Sequence, residues 1–551
     1  MKEHTIIFQI KDTDQCGPTN GTHFFCDSKD ISETQSEDDI NKTIHKTKNG
    51  CGLLPSKSAS LWMATSSDEI VGDVGIENLP ETVDVLVIGG GMAGILTAYQ
   101  LKQKGVNVIV VERNYIGTTC TANTTAKITS LHGSYYSKIT KSYGEEKAKK
   151  YYEIQEKAIQ EYEKLIEQYD ISCSFEKKSH ILYTTKDEEK LHKEYECFKQ
   201  LNIPVDYIKD APIPVGIIGG IVFQNQAQFH PLKFLHELAK QISVFNLCQV
   251  TQIESDGTVT INHQKRIKAQ SIVMATHYPI INSKGMFFTK LHQQRSYVVA
   301  LDQKAPFHIH DMYIDYDEAG HSFRTYDKLL LMGLGNHRTG TKSVPDYYKQ
   351  LEGESSRWFP DARIVYEWSN QDCMSIDHIP YIGQYSKTLP NVYVATGFNQ
   401  WGMSSSMVSS LILSDLITKG KNQYSDVFDP SRSMLSGTGK LLVNGGVSVK
   451  NLTKQIMHLK EDDLKQIKNG EAGIVKLEGK VVGVYKDENG DLHAIDTKCT
   501  HLGCRLQWNQ NDKTWDCPCH GSRFDIEGNL IEDPAEKNLN SVCTLKSDDK
   551  K

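Results

Sequence analysis

One glycine-rich turn between two apolar runs constrains this chain more than any other feature. Val83-Asp84-Val85-Leu86-Val87-Ile88 has the pattern of a buried strand and stops at Gly89. Gly89-Gly90-Gly91-Met92-Ala93-Gly94 follows with the spacing G-x-G-x-x-G, and a helical segment runs on through Lys104. A second apolar strand, Val106–Val111, leads into Glu112, 18 residues after Gly94. Such a turn alone is weak evidence, but here it sits inside a β-α-β unit. Gly89 permits the tight turn, and Gly91 lets the backbone approach a pyrophosphate at the helix N-terminus. Gly94 lets helix and strand pack closely. Glu112 can accept hydrogen bonds from a ribose 2′-OH and would repel a 2′-phosphate. The reading is a dinucleotide site, for FAD or NAD.

Two later segments favour FAD. Ala275-Thr276-His277 follows the strand Ser271–Met274, and the strand Asn391–Thr396 closes on Gly397. Small residues there let backbone close against a large ligand. The helix expected after Phe398-Asn399-Gln400-Trp401-Gly402-Met403-Ser404 could stabilise negative charge on a reduced flavin. A reductase fed by NAD(P)H normally carries a second fingerprint of this kind. Gly333-Leu334-Gly335-Asn336-His337 lacks the third glycine at the required spacing.

A different constellation lies near the C-terminus. Cys499-Thr500-His501-Leu502-Gly503-Cys504 and Cys517-Pro518-Cys519-His520-Gly521-Ser522 offer one C-x-H and one C-x-x-H, with 15 residues between His501 and Cys517. A Rieske [2Fe–2S] centre needs two Cys on one iron and two His on the other. Zinc also takes two Cys and two His, but zinc fingers pair Cys with Cys and His with His. The mixed order, with Cys504 and Cys519 left over, fits the cluster better.

At 551 residues the chain calls for two or three structural units. Hydrophobic and charged contents of 38% and 24% fit a soluble globular protein, and a net charge of −7 argues against nucleic acid as a partner. The run Met1–Phe8 meets charge before any signal-like apolar core forms, and no apolar run is long enough to span a bilayer. These features predict a cytoplasmic protein with no transmembrane segment, peripheral membrane contact being left open. Scattered cysteines such as Cys173, Cys197 and Cys248 read as small buried apolar residues.

The expected organisation is a partly ordered extension over 1–80, a catalytic domain over 81–423, a linker over 424–446 and a small all-β domain over 447–545. Apolar residues at Ala148, Tyr151, Ile154, Ala158, Tyr162, Leu165 and Tyr169 predict an amphipathic helix over Glu145–Tyr169. Asp429-Pro430-Ser431-Arg432-Ser433 and Ser436-Gly437-Thr438-Gly439 mark the linker. Short strands are expected at Gly473–Leu477, Val481–Tyr485 and Leu492–Ile495.

Residues from about 80 to 420 resemble the FAD-dependent D-amino-acid-oxidase-like superfamily, which includes glycine and sarcosine oxidases. The matching pieces are the fingerprint with Glu112, Thr124-Thr125-Ala126-Lys127, Ala275-Thr276, Asp377-His378-Ile379-Pro380-Tyr381-Ile382-Gly383 and Gly397–Met403. The resemblance implies an α/β Rossmann-like FAD-binding domain with a mixed-sheet substrate domain. It implies FAD contacts at Gly89, Gly91, Met92, Ala93, Gly94, Glu112, Arg113, Thr124, Thr125, Ala126, Lys127, Ala275, Thr276, Gly397, Asn399, Gly402 and Met403. It also implies oxidation of a C–N bond by hydride transfer to the flavin. The substrate does not carry over; substrate-side candidates are Arg295, Tyr297, His337 and Arg338, since an Arg can grip a carboxylate with two hydrogen bonds.

The segment from roughly 450 to 545 resembles Rieske domains, of the variety found in cytochrome bc complexes. That resemblance implies Cys499 and Cys517 on one iron, His501 and His520 on the other, and a Cys504–Cys519 disulfide clamping the loops. Ser522 matches the position whose hydroxyl donates to a cluster sulfur. Phe524 stands where high-potential members often have Tyr, which implies a less easily reduced cluster. A flavin domain of this type fused to a Rieske domain is a recognisable bacterial arrangement. The expected function is oxidation of a small-molecule reductant, an amine or amino acid, with electrons leaving through the cluster. The acceptor would be a one-electron protein or a quinone. The alternatives are a reductase running the other way and a non-enzymatic redox sensor or partner-binding protein.

Overall fold

Thr82–Ile88 forms the strand its apolar run predicts, and Val85–Ile88 are buried because it is central to a sheet. It pairs in parallel with Val108–Val111 on one side and Lys265–Met274 on the other. Beyond Val108–Val111 lie Ser243–Asn246 and then Asp73–Val74, both parallel. The end of Lys265–Met274 also pairs in parallel with Leu389–Thr396. Antiparallel strands Val250–Ile253, Thr258–Ile261 and Tyr381–Ser386 complete this sheet. Parallel strands bring their carboxyl ends to one edge, so Gly89, Glu112, Ala275 and Gly397 each follow a strand that ends there. Helices Met92–Gln103 and Gly402–Lys419 pack together and are buried on most sides, as interior helices are.

The computed structural model describes residues 60–67, 69–281, 285–317, 320–432, 466–477 and 480–545. They fall into two units, the larger within Lys57–Lys450 and the smaller within Asn451–Cys517 and Ser522–Lys551.

The larger unit holds a second, mixed sheet. Its strands run in the order Arg363–Ser375, Leu291–Asp302, Leu329–Arg338, Ser322–Tyr326, Met312–Asp315, Glu176–Thr184, Gly219–Gln228 and Lys127–Ile128. Period-2 alternation divides Leu291–Asp302 between two cores. Val298 and Ala300 join the core shared with the helices of the first sheet. Tyr297, Val299 and Leu301 join a separate core with Leu351 of the helix Tyr347–Trp358. The helix Glu145–Tyr169 has the bounds its periodicity predicts and buries Ala148, Tyr151, Ile154, Ala158, Tyr162 and Leu165.

Two segments read as irregular are packed where they are described. Of the 1–80 extension, residues 1–59 lie outside the described residues. From Ser60 the chain forms the helix Leu61–Thr65, with Leu61 and Trp62 fully buried. Of the 424–446 linker, residues 433–446 lie outside the described residues, while Ser425–Phe428 is helical with Val427 and Phe428 in the core. No helix among the described residues is long and apolar enough to cross a membrane.

The smaller unit is all-β. Ala472–Leu477, Lys480–Lys486, Leu492–Asp496 and Ser541–Leu545 form one antiparallel sheet. Gln507–Asn509, Thr514–Asp516, Arg523–Phe524 and Leu530–Glu532 form a second. Arg523 is buried in this second sheet and ion-paired to Asp512, Asp516 and Glu532 at 2.9, 3.2 and 3.2 Å.

Candidate functional site

At the head of the first sheet the glycines do what their spacing requires. Gly89 has φ of +109°, and a Cβ there would lie 2.5 Å from the Ala275 carbonyl oxygen. A Cβ on Gly94 would lie 1.9 Å from the Gly89 carbonyl oxygen, so the helix crosses the turn only with glycine. Gly91 differs: its Cβ would meet nothing closer than the Thr121 hydroxyl at 3.5 Å, leaving space at the helix N-terminus. Met92 and Ala93 open the helix, and the Met92 N–H donates to Thr121 Oγ1 at 3.1 Å. The Glu112 carboxylate lies at the turn and accepts from the Gly90 N–H at 2.8 Å and the Asn114 N–H at 2.9 Å. Arg113 follows, half-buried.

The Thr124–Lys127 segment is braced by residues the sequence reading missed. Trp368 Nε1 donates to Asn123 O at 2.9 Å, Trp62 Nε1 to Thr124 O at 2.6 Å, and Arg324 Nη1 to Thr125 O and Ala126 O at 2.7 and 2.8 Å. Four successive carbonyls are thereby turned toward the protein. Ala126 takes φ of +54° to manage it. Lys127 is fully buried, donates to Thr125 Oγ1 at 3.3 Å, and burial pulls its amine down to about 7. No local signal marks Trp62, Arg324 or Trp368, because their partners lie far away in sequence.

On the other side, Thr276 Oγ1 donates to Tyr278 O at 2.7 Å. The Asn399 carboxamide is used internally, accepting from Ser375 N at 2.7 Å and donating to Gly397 O at 2.8 Å. Gly402 and Met403 begin the helix Gly402–Lys419, and Met403 O accepts from Tyr162 at 2.8 Å. Trp401 stacks on His132 with centroids 4.9 Å apart, and its indole N–H is buried with no partner among the described residues.

A pocket runs from Thr124, Lys127, Trp401 and Met403 onto the mixed sheet at Ser296 and Asn370. The substrate-side candidates divide around it. Tyr297 borders the pocket, but its ring stacks with Tyr347 and His337 on the opposite face of the sheet from Val298. Arg295 is buried and donates to Ser369 Oγ. His337 Nδ1 lies 2.9 Å from Gly335 O, and Arg338 stands opposite Gln294 at the end of its strand. The sequence reading missed Asn370 and Asp372, which line this pocket; no motif marks them.

In the smaller unit the two Cys/His loops fold back on themselves. The Cys499 N–H donates to Cys504 O at 2.8 Å, and the Cys517 N–H to Ser522 O at 2.8 Å. The disulfide expected of Cys504 and Cys519 is present. The sulfurs of Cys504, Cys517 and Cys519 lie within 4.8 Å of one another, but two of them are spent in that bond. Cys499 and Cys517 keep their thiols. The Cys499 thiol is drawn down to about 7, first by its hydrogen bond with Cys517, then by the N–H groups of His501 and Leu502 and by Ser522, against burial. Burial also lowers the His501 imidazole, favouring the neutral form that a metal takes. Two thiols and two imidazoles on clamped loops, with N–H and O–H donors aimed at sulfur, fit a mixed Cys/His iron–sulfur cluster. The space at Gly91, the converging strand ends and the unmet Trp401 N–H fit FAD.

A family model described as FAD dependent oxidoreductase (DAO) matches residues 84–416, and one described as Rieske [2Fe-2S] domain matches residues 457–543. A Bacillus subtilis protein named as a Rieske 2Fe-2S iron-sulfur protein, YhfW, is 36% identical over 474 residues, covering 83% of this chain and 93% of that one. The cytochrome b6-f complex iron-sulfur subunit 2 of a Nostoc species is 39% identical over 88 residues, 16% of this chain and 49% of that protein. Among solved structures, glycine oxidase from Geobacillus kaustophilus matches with a TM-score of 0.55 at 17% identity, over 64% of this chain and 100% of that one. L-proline dehydrogenase from P. horikoshii matches with a TM-score of 0.54 at 20% identity, over 64% and 98%. At such identities these two likenesses establish the fold.

Proposed function

We propose that this chain, which belongs to the FAD dependent oxidoreductase family and carries a C-terminal Rieske [2Fe-2S] domain, oxidises a C–N bond of an amine or amino acid and passes the electrons through its cluster to an external acceptor. FAD and a [2Fe–2S] cluster are its cofactors. The observation that carries the reading is the pocket leading from the flavin-side residues Thr124, Lys127 and Trp401 to the face of the mixed sheet.

In this reading Gly89–Gly94 hold the pyrophosphate, Glu112 the ribose, and the Thr124–Lys127 and Gly397–Met403 segments flank the ring. FAD, when bound, accepts a hydride. The substrate loses that hydride from carbon and a proton from nitrogen, and its C–N single bond becomes C=N. Fixed backbone around Asn123–Ala126 keeps the pocket wall in one shape. Cys499, Cys517, His501 and His520 hold the cluster, which carries one electron at a time. Carrying both cofactors on one chain raises their effective concentration relative to separate proteins. The names of the fold neighbours, glycine oxidase and L-proline dehydrogenase, favour amino compounds.

The test is an anaerobic screen of amines and amino acids for flavin bleaching, with NADH as the control for the reverse direction. A His520→Ala variant should keep FAD and be bleached by substrate, yet lose most turnover with a one-electron acceptor. Bleaching by NADH alone would sink the reading, and undiminished turnover without the cluster would remove the exit route.

A further inference from the structure

Three donors from distant parts of the chain meet one short wall of the pocket. Trp368 Nε1 reaches Asn123 O, Trp62 Nε1 reaches Thr124 O, and Arg324 Nη1 reaches both Thr125 O and Ala126 O. The three side chains are 4%, 0% and 1% exposed, so water does not compete for these bonds. They also support one another. The Arg324 guanidinium lies 5.4 Å from the Trp62 ring centroid, and Trp62 makes T-shaped contacts with His230 and Tyr326 at 5.0 and 4.9 Å. Trp62 comes from a helix that precedes residue 84, where the family match begins.

The consequence is chemical as well as mechanical. Four successive carbonyls are engaged by protein donors. A trans peptide sets each N–H opposite the carbonyl before it, so holding Asn123 O and Thr124 O fixes where the Thr124 and Thr125 N–H groups point. The Thr124 hydroxyl accepts from the Ala126 N–H at 3.0 Å, and the Thr125 hydroxyl from Lys127 Nζ at 3.3 Å. Both hydroxyls keep a hydrogen to give. Lys127 is buried, and the charge that acts on it is another cation, Arg324. Thr124, Thr125 and Lys127 all line the pocket, so this stretch of wall offers donors to a ligand. Its complement is an electron-rich edge. The isoalloxazine ring of FAD has one, where carbonyl oxygens and ring nitrogens accept hydrogen bonds and negative charge collects on reduction.

We propose that Trp62, Trp368 and Arg324 are positioning residues for the flavin, which hold the Thr124–Lys127 donors against its acceptor edge, tighten FAD binding and raise its midpoint potential. The sign follows from charge: donors stabilise the more negative reduced ring more than the oxidised one. This rests on the reading that places the flavin ring beside Thr124–Lys127, and it assigns control of that contact to the side chains behind it.

The test compares full-length holoproteins by FAD dissociation constant, from flavin fluorescence on dilution, and by flavin midpoint potential, from anaerobic spectral titration. Trp62→Phe keeps an aromatic ring in the slot and removes the N–H. It should weaken oxidised FAD by about tenfold and reduced FAD by about a hundredfold. The extra tenfold is a fall of about 30 mV for a two-electron couple. Trp368→Phe should act in the same direction, and it carries the test should Trp62→Phe not fold. Leu351→Ala, in the separate core on the other face of the mixed sheet, should lower the melting temperature and leave the potential of bound FAD unchanged. Lys127→Met should lower the potential, because it removes a donor of the wall itself. Wild-type FAD affinity and potential in the tryptophan variants would overturn the proposal. If Lys127→Met then still lowers the potential, the flavin placement stands and only the role of the brace falls; if it too is silent, the placement falls as well. Equal potential shifts in Leu351→Ala and Trp62→Phe would also overturn it, since general loosening would then suffice.

Discussion

Arg432 closes on Asp377 with two parallel hydrogen bonds, Nε to Oδ2 at 2.7 Å and Nη2 to Oδ1 at 2.8 Å, with both side chains almost removed from solvent. The guanidinium also lies 4.0 Å from the Tyr381 ring centroid and donates to the Ile379 and Pro380 carbonyls at 2.6 and 3.1 Å. Tyr143 donates to the same carboxylate at 2.8 Å. Residues at the start of the segment read as a linker are thus anchored beside the Asp377–Gly383 motif.

Breaking that pair should be costly. Burial alone would raise the Asp377 carboxyl, but the guanidinium overrides it and holds it below its ordinary value. Arg432→Ala leaves a buried carboxylate without its cation, a loss of about 3–5 kcal/mol. The expected outcome is a clear fall in melting temperature at pH 7. The folded carboxyl titrates below the unfolded one, so the pair's contribution is present above pH ~4 and fades as pH falls further. The gap between wild type and variant should therefore shrink in acid. A gap that is absent at pH 7 would show that the pair contributes nothing net.

Two glycines of the turn should separate folding from cofactor binding. Gly91→Ala places a methyl in open space, 3.5 Å from Thr121 Oγ1, at an ordinary backbone angle. The variant should fold with wild-type secondary structure yet bind FAD much more weakly, read as the flavin-to-protein ratio after gel filtration. Gly94→Ala drives a methyl to 1.9 Å from Gly89 O and should lower stability as well as flavin content. Equal flavin retention in the Gly91→Ala protein would move the pyrophosphate elsewhere.

Lys127 gives a stability signal of defined sign. Its folded amine titrates at about 7, against an ordinary value of 10.5. Between those two pH values the unfolded chain binds the extra proton, so stability should rise with pH by up to about 1.4 kcal/mol per unit. Below pH 7 the burial penalty is fully present. Lys127→Met removes the titration, so wild-type melting temperature should gain on the variant's from pH 7 to pH 10. Parallel curves would mean the lysine keeps an ordinary pKa, through water or bound cofactor.

What could be read from the sequence was what local spacing determines. The turn from Gly89 to Gly94, the helix Glu145–Tyr169 and the paired Cys/His loops depend on residues a few positions apart, and the described structure forms each of them. The brace around Asn123–Ala126 depends on Trp62, Arg324 and Trp368, which meet it only after two sheets have formed. Residue type alone likewise cannot tell which face of Leu291–Asp302 looks at the pocket. Arg295 and Tyr297 stand out by chemistry, yet alternation sends the Tyr297 ring into the core opposite Val298. Asn370 and Asp372 carry no motif and emerge from register.

Ser522 supplies a last test, in the smaller unit. Its hydroxyl is among the groups that stabilise charge on the Cys499 sulfur, and its oxygen accepts from the Ala535 N–H at 2.9 Å. Reduction adds negative charge to an iron–sulfur cluster, and a donor to its sulfurs stabilises the reduced form more than the oxidised one. Phe524, fully buried on the neighbouring strand, brings no hydroxyl to share that task. Ser522→Ala should therefore retain the cluster and lower its midpoint potential, measured by redox titration of the reduced-cluster paramagnetic resonance signal. It should also leave the buried Ala535 N–H unmet, at a cost of about 1–3 kcal/mol in stability. A stability loss with an unchanged potential would confine Ser522 to holding the loop, and a raised potential would reverse the sign of the argument.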